Sequence, residues 1–148
     1  MLPLKWLGRA LMTTDVVPRH FTATFTLPFA LAGLNVRQRK HWGALTSERN
    51  ELAKEVMAGI RGPRHYPRPP LNRARITVVR CCAQPLDPDT LVASVKPLLD
   101  VLCVKSATHP AGLGIIVDDN AKQCELVVKQ SSAPRGKGAT IVSIEELV

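Results

Sequence analysis

Four aspartates in two short motifs have the residue types and spacing for chemistry at a phosphate: Asp87 and Asp89 in Leu86-Asp87-Pro88-Asp89-Thr90-Leu91, and Asp118 and Asp119 closing Gly114-Ile115-Ile116-Val117-Asp118-Asp119. Lys96-Pro97-Leu98-Leu99-Asp100 lies between them, so five of the chain's twelve acidic residues fall in this stretch. Lys96 and Lys105 are its only Lys or Arg residues from position 81 to 121. If Asp87, Asp89 and one of Asp118 or Asp119 converge, two carboxylates about 5 Å apart repel by about 3 kcal/mol at an effective dielectric of roughly 20. A group of three then needs a proton or a cation. Oxygen-only ligands favour Mg²⁺, with Mn²⁺ as the alternative, over zinc. One or two such ions held by Asp87, Asp89 and Asp119 would activate water, shield the phosphate and stabilise a leaving oxygen. Lys96 would add positive charge at the phosphate or position the water. Asp118 is a fourth ligand or a hydrogen-bonded neighbour of the ligands, and Asp100 orients Lys96 through their i,i+4 spacing. Taken singly, Asp87-Pro88-Asp89 also reads as a turn with a helix cap, and Asp118-Asp119-Asn120 as a turn.

The elements that must position these groups are legible around them. Asp89 is expected as the N-cap of a helix over residues 90–102, with Pro88 discouraging an earlier start. On a helical wheel Leu91, Val95, Leu98 and Leu102 share one stripe, and Asp89, Ala93, Lys96 and Asp100 the opposite one. Pro97 cannot donate to the carbonyl of Ala93, so a kink is expected there.

Asp-x-Asp-x-Leu, a helix bearing Lys-x-x-x-Asp and a hydrophobic run ending in Asp-Asp together resemble the RusA family of Holliday-junction resolvases. Leu27-Pro28-Phe29 followed by Asn35-Val36-Arg37 resembles that family's opening strand and loop, and the likeness covers roughly residues 21–147. Thr90 stands where the family usually has Asn, and Lys96 lies about a turn farther along than the family's lysine. The resemblance implies a small, homodimeric, magnesium-dependent endonuclease of phage or prophage type, acting on four-way junctions in recombination and repair. A C₂ dimer would supply one site for each of two opposed cuts. The rival readings are a nuclease for flaps or forks, a DNA-binding module with weak or lost activity, and a scaffold that binds a host factor.

At 148 residues and 45% hydrophobic content, the chain is expected to form one folded domain over residues 21–148, with residues 1–20 as an appendage. The net charge is +8, and residues 35–80 alone carry eleven Lys and Arg against three Glu. That concentration beside the acidic stretch suits a surface that follows phosphates. Asn35, Arg37, Arg39, Lys40, Arg64 and Arg68 are the expected DNA contacts, the last two in a proline-stiffened loop. Trp42 suits core packing better than base stacking. Cys81, Cys82, Cys103 and Cys124 form no Cys-x-x-Cys pair, and no histidine stands at ligand spacing from them, so reduced thiols in the cytoplasm are expected and a zinc site is not. His109 falls in a connecting loop and is expected to be exposed. No apolar run approaches the roughly 20 residues that span a bilayer, so no membrane is expected as partner.

Residues 21–27 alternate as a half-buried strand, and Thr46 or Ser47 is expected to cap a helix whose apolar face is Leu52, Ala53, Val56, Met57 and Ile60. Glu51 and Glu55 on that helix suit an ion-paired, solvated face. Residues 73–82, 123–130 and 139–147 read as three further strands. The order β-α-β-α-β-β implies an α+β domain, with a mixed four-stranded sheet and two helices on one face.

Overall fold

The computed structural model describes residues 20–33 and 42–148. The element order is β1 (Thr22–Leu27), α1 (Trp42–Ile60), β2 (Ala74–Cys81), α2 (Pro88–Ser94), α3 (Lys96–Leu102), β3 (Cys124–Ser131) and β4 (Ala139–Glu146). The fold is the expected α+β domain. Its sheet runs β1-β4-β2-β3, antiparallel except for the β2/β3 pair. A parallel pair needs a crossover, and here the crossover contains α2, α3 and the whole acidic stretch.

Strand alternation decides which face is covered. Phe25 and Leu27 of β1, Ile76 and Val78 of β2, and Val142 and Ile144 of β4 are buried and register across the sheet, as Ile76 with Ile144 and Val78 with Val142. The opposite face holds Thr24 hydrogen-bonded to Ser143 at 3.2 Å, and Arg75 between Glu125 and Glu145 at 3.2 and 3.4 Å. Leu52, Val56 and Ile60 of α1 enter the covered face as expected. Gly59 lets α1 approach β1, because a Cβ there would stand 2.7 Å from the Phe25 ring.

Three local expectations are corrected. Helix α1 begins at Trp42 rather than after Thr46 or Ser47; Ala44 and Leu45 are strong helix formers, so the helix extends past the hydroxyl residues. It ends in a Schellman motif with Arg61 at φ 71° just ahead of Gly62, whose N–H reaches Met57 O at 2.9 Å. The N-cap of the acidic helix is Asp87, not Asp89, since Pro88 takes the first helical position, where a missing N–H costs nothing. The expected kink is a full break at Val95, with Pro97 in the first turn of a new helix. The apolar stripe survives the break, and Leu91, Val95, Leu98 and Leu102 are all buried.

Beyond α3 the chain turns back over residues 104–114, and residues 115–117 then run between Leu71 and the end of α3. Leu71 N–H donates to Ile115 O and Val117 N–H to Leu71 O, while Ile115 and Ile116 N–H both donate to Leu102 O. Ile115 and Ile116 are fully buried. Burying an isoleucine side chain contributes about 1.5–3 kcal/mol, so this clamp is a core element rather than a surface loop. Ile116→Ala is expected to cost about 2–5 kcal/mol in urea unfolding, whereas Val92→Ala, at 52% exposure, should stay within about 0.5 kcal/mol; equal effects would contradict this role for residues 115–117.

Candidate metal centre

Because residues 115–117 are clamped, Asp118 and Asp119 emerge beside the end of α3. Lys96, half exposed on α3, pairs with both acidic neighbours: its Nζ lies 3.0 Å from Asp100 Oδ1 and donates a hydrogen bond to Asp119 Oδ2. Burial alone would lower the lysine's pKa, but the hydrogen bonds and charges of Asp119 and Asp100 outweigh it and the net shift is upward. Lys96 therefore stays protonated at neutral pH.

The loop back from α3 adds a histidine. Ser106 and His109 exchange backbone hydrogen bonds at 3.1 and 3.2 Å, and Ser106 Oγ also accepts from His109 N–H. Gly112 permits the tight return, since a Cβ there would stand 2.4 Å from Cys103 O. His109 is thereby corrected from exposed to 15% exposed, with Nδ1 3.3 Å from Asp100 Oδ1 and Nε2 3.9 Å from Asp118 Oδ1. Asp118 Oδ1 accepts from Asp119 N–H at 2.7 Å, and Oδ2 from Asn120 Nδ2 at 3.1 Å. These bonds, the backbone one foremost, hold the Asp118 carboxyl below its ordinary range. The buried Cys103 thiol is pushed up to about 12, first by burial and then by the charges of Asp119, Asp118 and Asp100.

Among the described residues, one group of side chains could hold a metal ion: Cys103, His109, Asp118 and Asp119, each offering a ligand atom within 4.8 Å of the other three. Asp118 and Asp119 thus take part, whereas Asp87 and Asp89 do not join the group. Cysteine and histidine donors meet here although no ligand spacing in the sequence joins them. The helix end and the return loop bring Cys103 and His109 together although they are six positions apart, and the gathered donors are not oxygen alone. No ligand-spacing motif reveals this; the available signals were Gly112 and the Ser106–His109 turn.

Asp87 has a structural task. Its carboxylate accepts from Thr90 N–H at 3.1 Å and from the Thr90 hydroxyl at 2.6 Å, which holds its pKa below the usual carboxylate range, the hydroxyl being the larger influence. Gln130 fixes the approach to it by a paired amide contact with the Leu86 backbone at 3.0 and 2.8 Å. Asp89 is exposed in the first turn of α2. Arg64 and Arg68 are exposed around a short 3₁₀ turn, Pro63–His65. Asn35, Arg37, Arg39, Lys40 and the Trp42 side chain lie outside the described residues, as does the expected appendage up to residue 19. Gly33, where the earlier described segment ends, packs near Leu86 and Thr90. Glu51 pairs with Lys54 at 3.3 Å on the solvated face of α1. Among the described residues no helix is long and apolar enough to cross a membrane.

No protein-family model matches the chain, and no curated protein matches it.

The Asp87 cap gives a pH signature. Its folded-state pKa lies below the unfolded value of about 3.9, so the stability it adds is complete above that value and is lost as pH falls through the folded one. In chelator-treated buffer the wild type should have a higher urea midpoint than Asp87→Asn, which still caps but without charge. The gap should close as pH falls below about 4. A gap independent of pH would contradict a charge-assisted cap.

Proposed function

We propose that this chain is a metal-dependent endodeoxyribonuclease that cuts branched DNA, four-way junctions being the favoured substrate. The observation that carries the proposal is the array along α3, where Lys96 is bound to Asp119 and Asp100 beside Asp118. Three carboxylates against one ammonium leave two negative charges in a small volume, and because the lysine is half exposed each ion pair contributes on the order of 1 kcal/mol or less. Lysine alone does not neutralise the group, so the donors suit a divalent cation. The excess of Lys and Arg over residues 35–80, the exposed Arg64 and Arg68 and the likeness of the acidic motifs to the RusA resolvases support DNA as the partner.

In this reading Mg²⁺, or Mn²⁺ in its place, supplies activation of water and shielding of phosphate charge. Asp119 and Asp118 hold it, with Asp89 joining from the exposed first turn of α2. Asp87 and Thr90 keep that turn in place through the cap. Lys96, held protonated and half exposed, presents N–H donors to a phosphate oxygen as charge builds there. Asp100 fixes the direction of the lysine. Arg64 and Arg68, with Asn35, Arg37, Arg39 and Lys40, follow the backbone phosphates. Two opposed cuts in a junction call for a homodimer with one site per subunit, working in the cytoplasm where chromosomal and phage DNA are found.

One observation favours a second reading. Asp87 and Asp89 stand outside the gathered donors, which fits a DNA-binding module with weak or lost activity. A single assay separates the two. With a labelled four-way junction, a flap and a linear duplex, the nuclease reading predicts paired Mg²⁺-dependent cuts in the junction that EDTA abolishes. Asp119→Asn and Asp89→Asn should each slow them about 10²-fold or more, and Lys96→Ala about 10–100-fold. Salt-sensitive binding without any metal-dependent product would establish the binding module instead.

A further inference from the structure

We propose that Cys103, His109, Asp118 and Asp119 form a site for a transition-metal ion of the Zn²⁺ or Co²⁺ class, different in donor chemistry from an oxygen-only Mg²⁺ site. The inference stands on these four side chains and does not require the nuclease reading, although the two share Asp118 and Asp119.

The spacing is nearly that of a bound ion. Metal–ligand bonds of about 2.0–2.3 Å in a tetrahedron put neighbouring ligand atoms about 3.3–3.8 Å apart. His109 Nε2 and Asp118 Oδ1 are 3.9 Å apart, too far for a hydrogen bond and close to a shared-ion edge. The four donors lie within 4.8 Å of one another, so contraction by up to about 1.5 Å completes the tetrahedron. His109 and Asp118 both sit in turns, where side-chain rotation supplies it.

A second observation is independent of that spacing. His109 Nδ1 is buried without a hydrogen-bond partner and lies 3.3 Å from Asp100 Oδ1, an oxygen already ion-paired with Lys96 at 3.0 Å. Metal-bound histidines characteristically donate their other ring N–H to a carboxylate. With Nε2 turned toward the ion, Nδ1–H is directed at Asp100, and the unpartnered ring nitrogen is satisfied. Cys103 is fully buried. On coordination its Sγ–H bond is exchanged for an Sγ–metal bond and the proton goes to solvent. Lys96 occupies Asp119 Oδ2, which leaves Oδ1 for the ion. A thiolate and an imidazole among the ligands select Zn²⁺ or Co²⁺ over Mg²⁺.

Cobalt titration of the reduced, chelator-treated full chain tests the site without DNA. One equivalent of Co²⁺ should give the ligand-field bands of a tetrahedral ion with thiolate-to-cobalt charge transfer. Cys103→Ser should abolish the charge-transfer band, Cys82→Ser should leave it unchanged, and His109→Ala should weaken binding at least about tenfold. No charge-transfer band in the wild type, or its persistence in Cys103→Ser, overturns the proposal. If Cys103→Ser does not fold by circular dichroism, His109→Ala decides, and unchanged cobalt affinity overturns it. Cleavage plays no part in the readout, so a failed junction assay and a failed cobalt titration remain separate results.

Discussion

The clamp on residues 115–117 is the constraint on which the acidic site depends. Leu71 holds this segment on one side through Ile115 and Val117, and the Leu102 carbonyl receives two N–H groups from the other. Ile115 and Ile116 are withdrawn from water in the same step. A carboxylate pair at the end of a free loop would move away from its neighbours under their mutual repulsion. At the end of a buried segment it cannot, so Asp118 and Asp119 are held against Asp100 and Cys103. Packing energy is what keeps like charges together here, and Lys96 takes up only part of the excess.

The same clamp explains why the two halves of the acidic stretch behave differently. Asp87 and Asp89 belong to a short helix whose entrance is organised by Pro88, Thr90 and the Gln130 side chain. Asp118 and Asp119 belong to the core through their immediate neighbours. The break at Val95 separates Asp89 from Lys96, so the lysine follows α3 toward Asp119 and the first aspartates remain at the surface. Catalysis in the proposed sense therefore requires Asp89 to be drawn in when cation and phosphate arrive, a task for an exposed side chain rather than for a movement of the core.

The strands were readable because their alternation reports one buried face. Phe25 and Leu27, Ile76 and Val78, and Val142 and Ile144 follow the period-two pattern with little interference. The apolar stripe of the acidic helix was equally plain, and it survives the break because burial, not backbone continuity, holds Leu91, Val95, Leu98 and Leu102 in line. The cap lies at Asp87, two positions before the expected Asp89, because the two residues have the same side chain and only the preference of proline for the first helical position separates them. The meeting of Cys103 with His109 was not legible. It depends on a return loop whose closure is set by Gly112 and by hydrogen bonds of Ser106, contacts that leave no periodicity in the residues they join.

The carboxylates at the end of the clamped segment are proposed to collect a divalent cation. Paramagnetic broadening of backbone amide resonances by substoichiometric Mn²⁺ tests it most directly. The amides of Asp118, Asp119 and Asn120 should broaden first, with those of Asp100, Cys103 and His109 next, while β1 is untouched. Broadening centred on Glu51 and Glu55, or none that is selective, would contradict it.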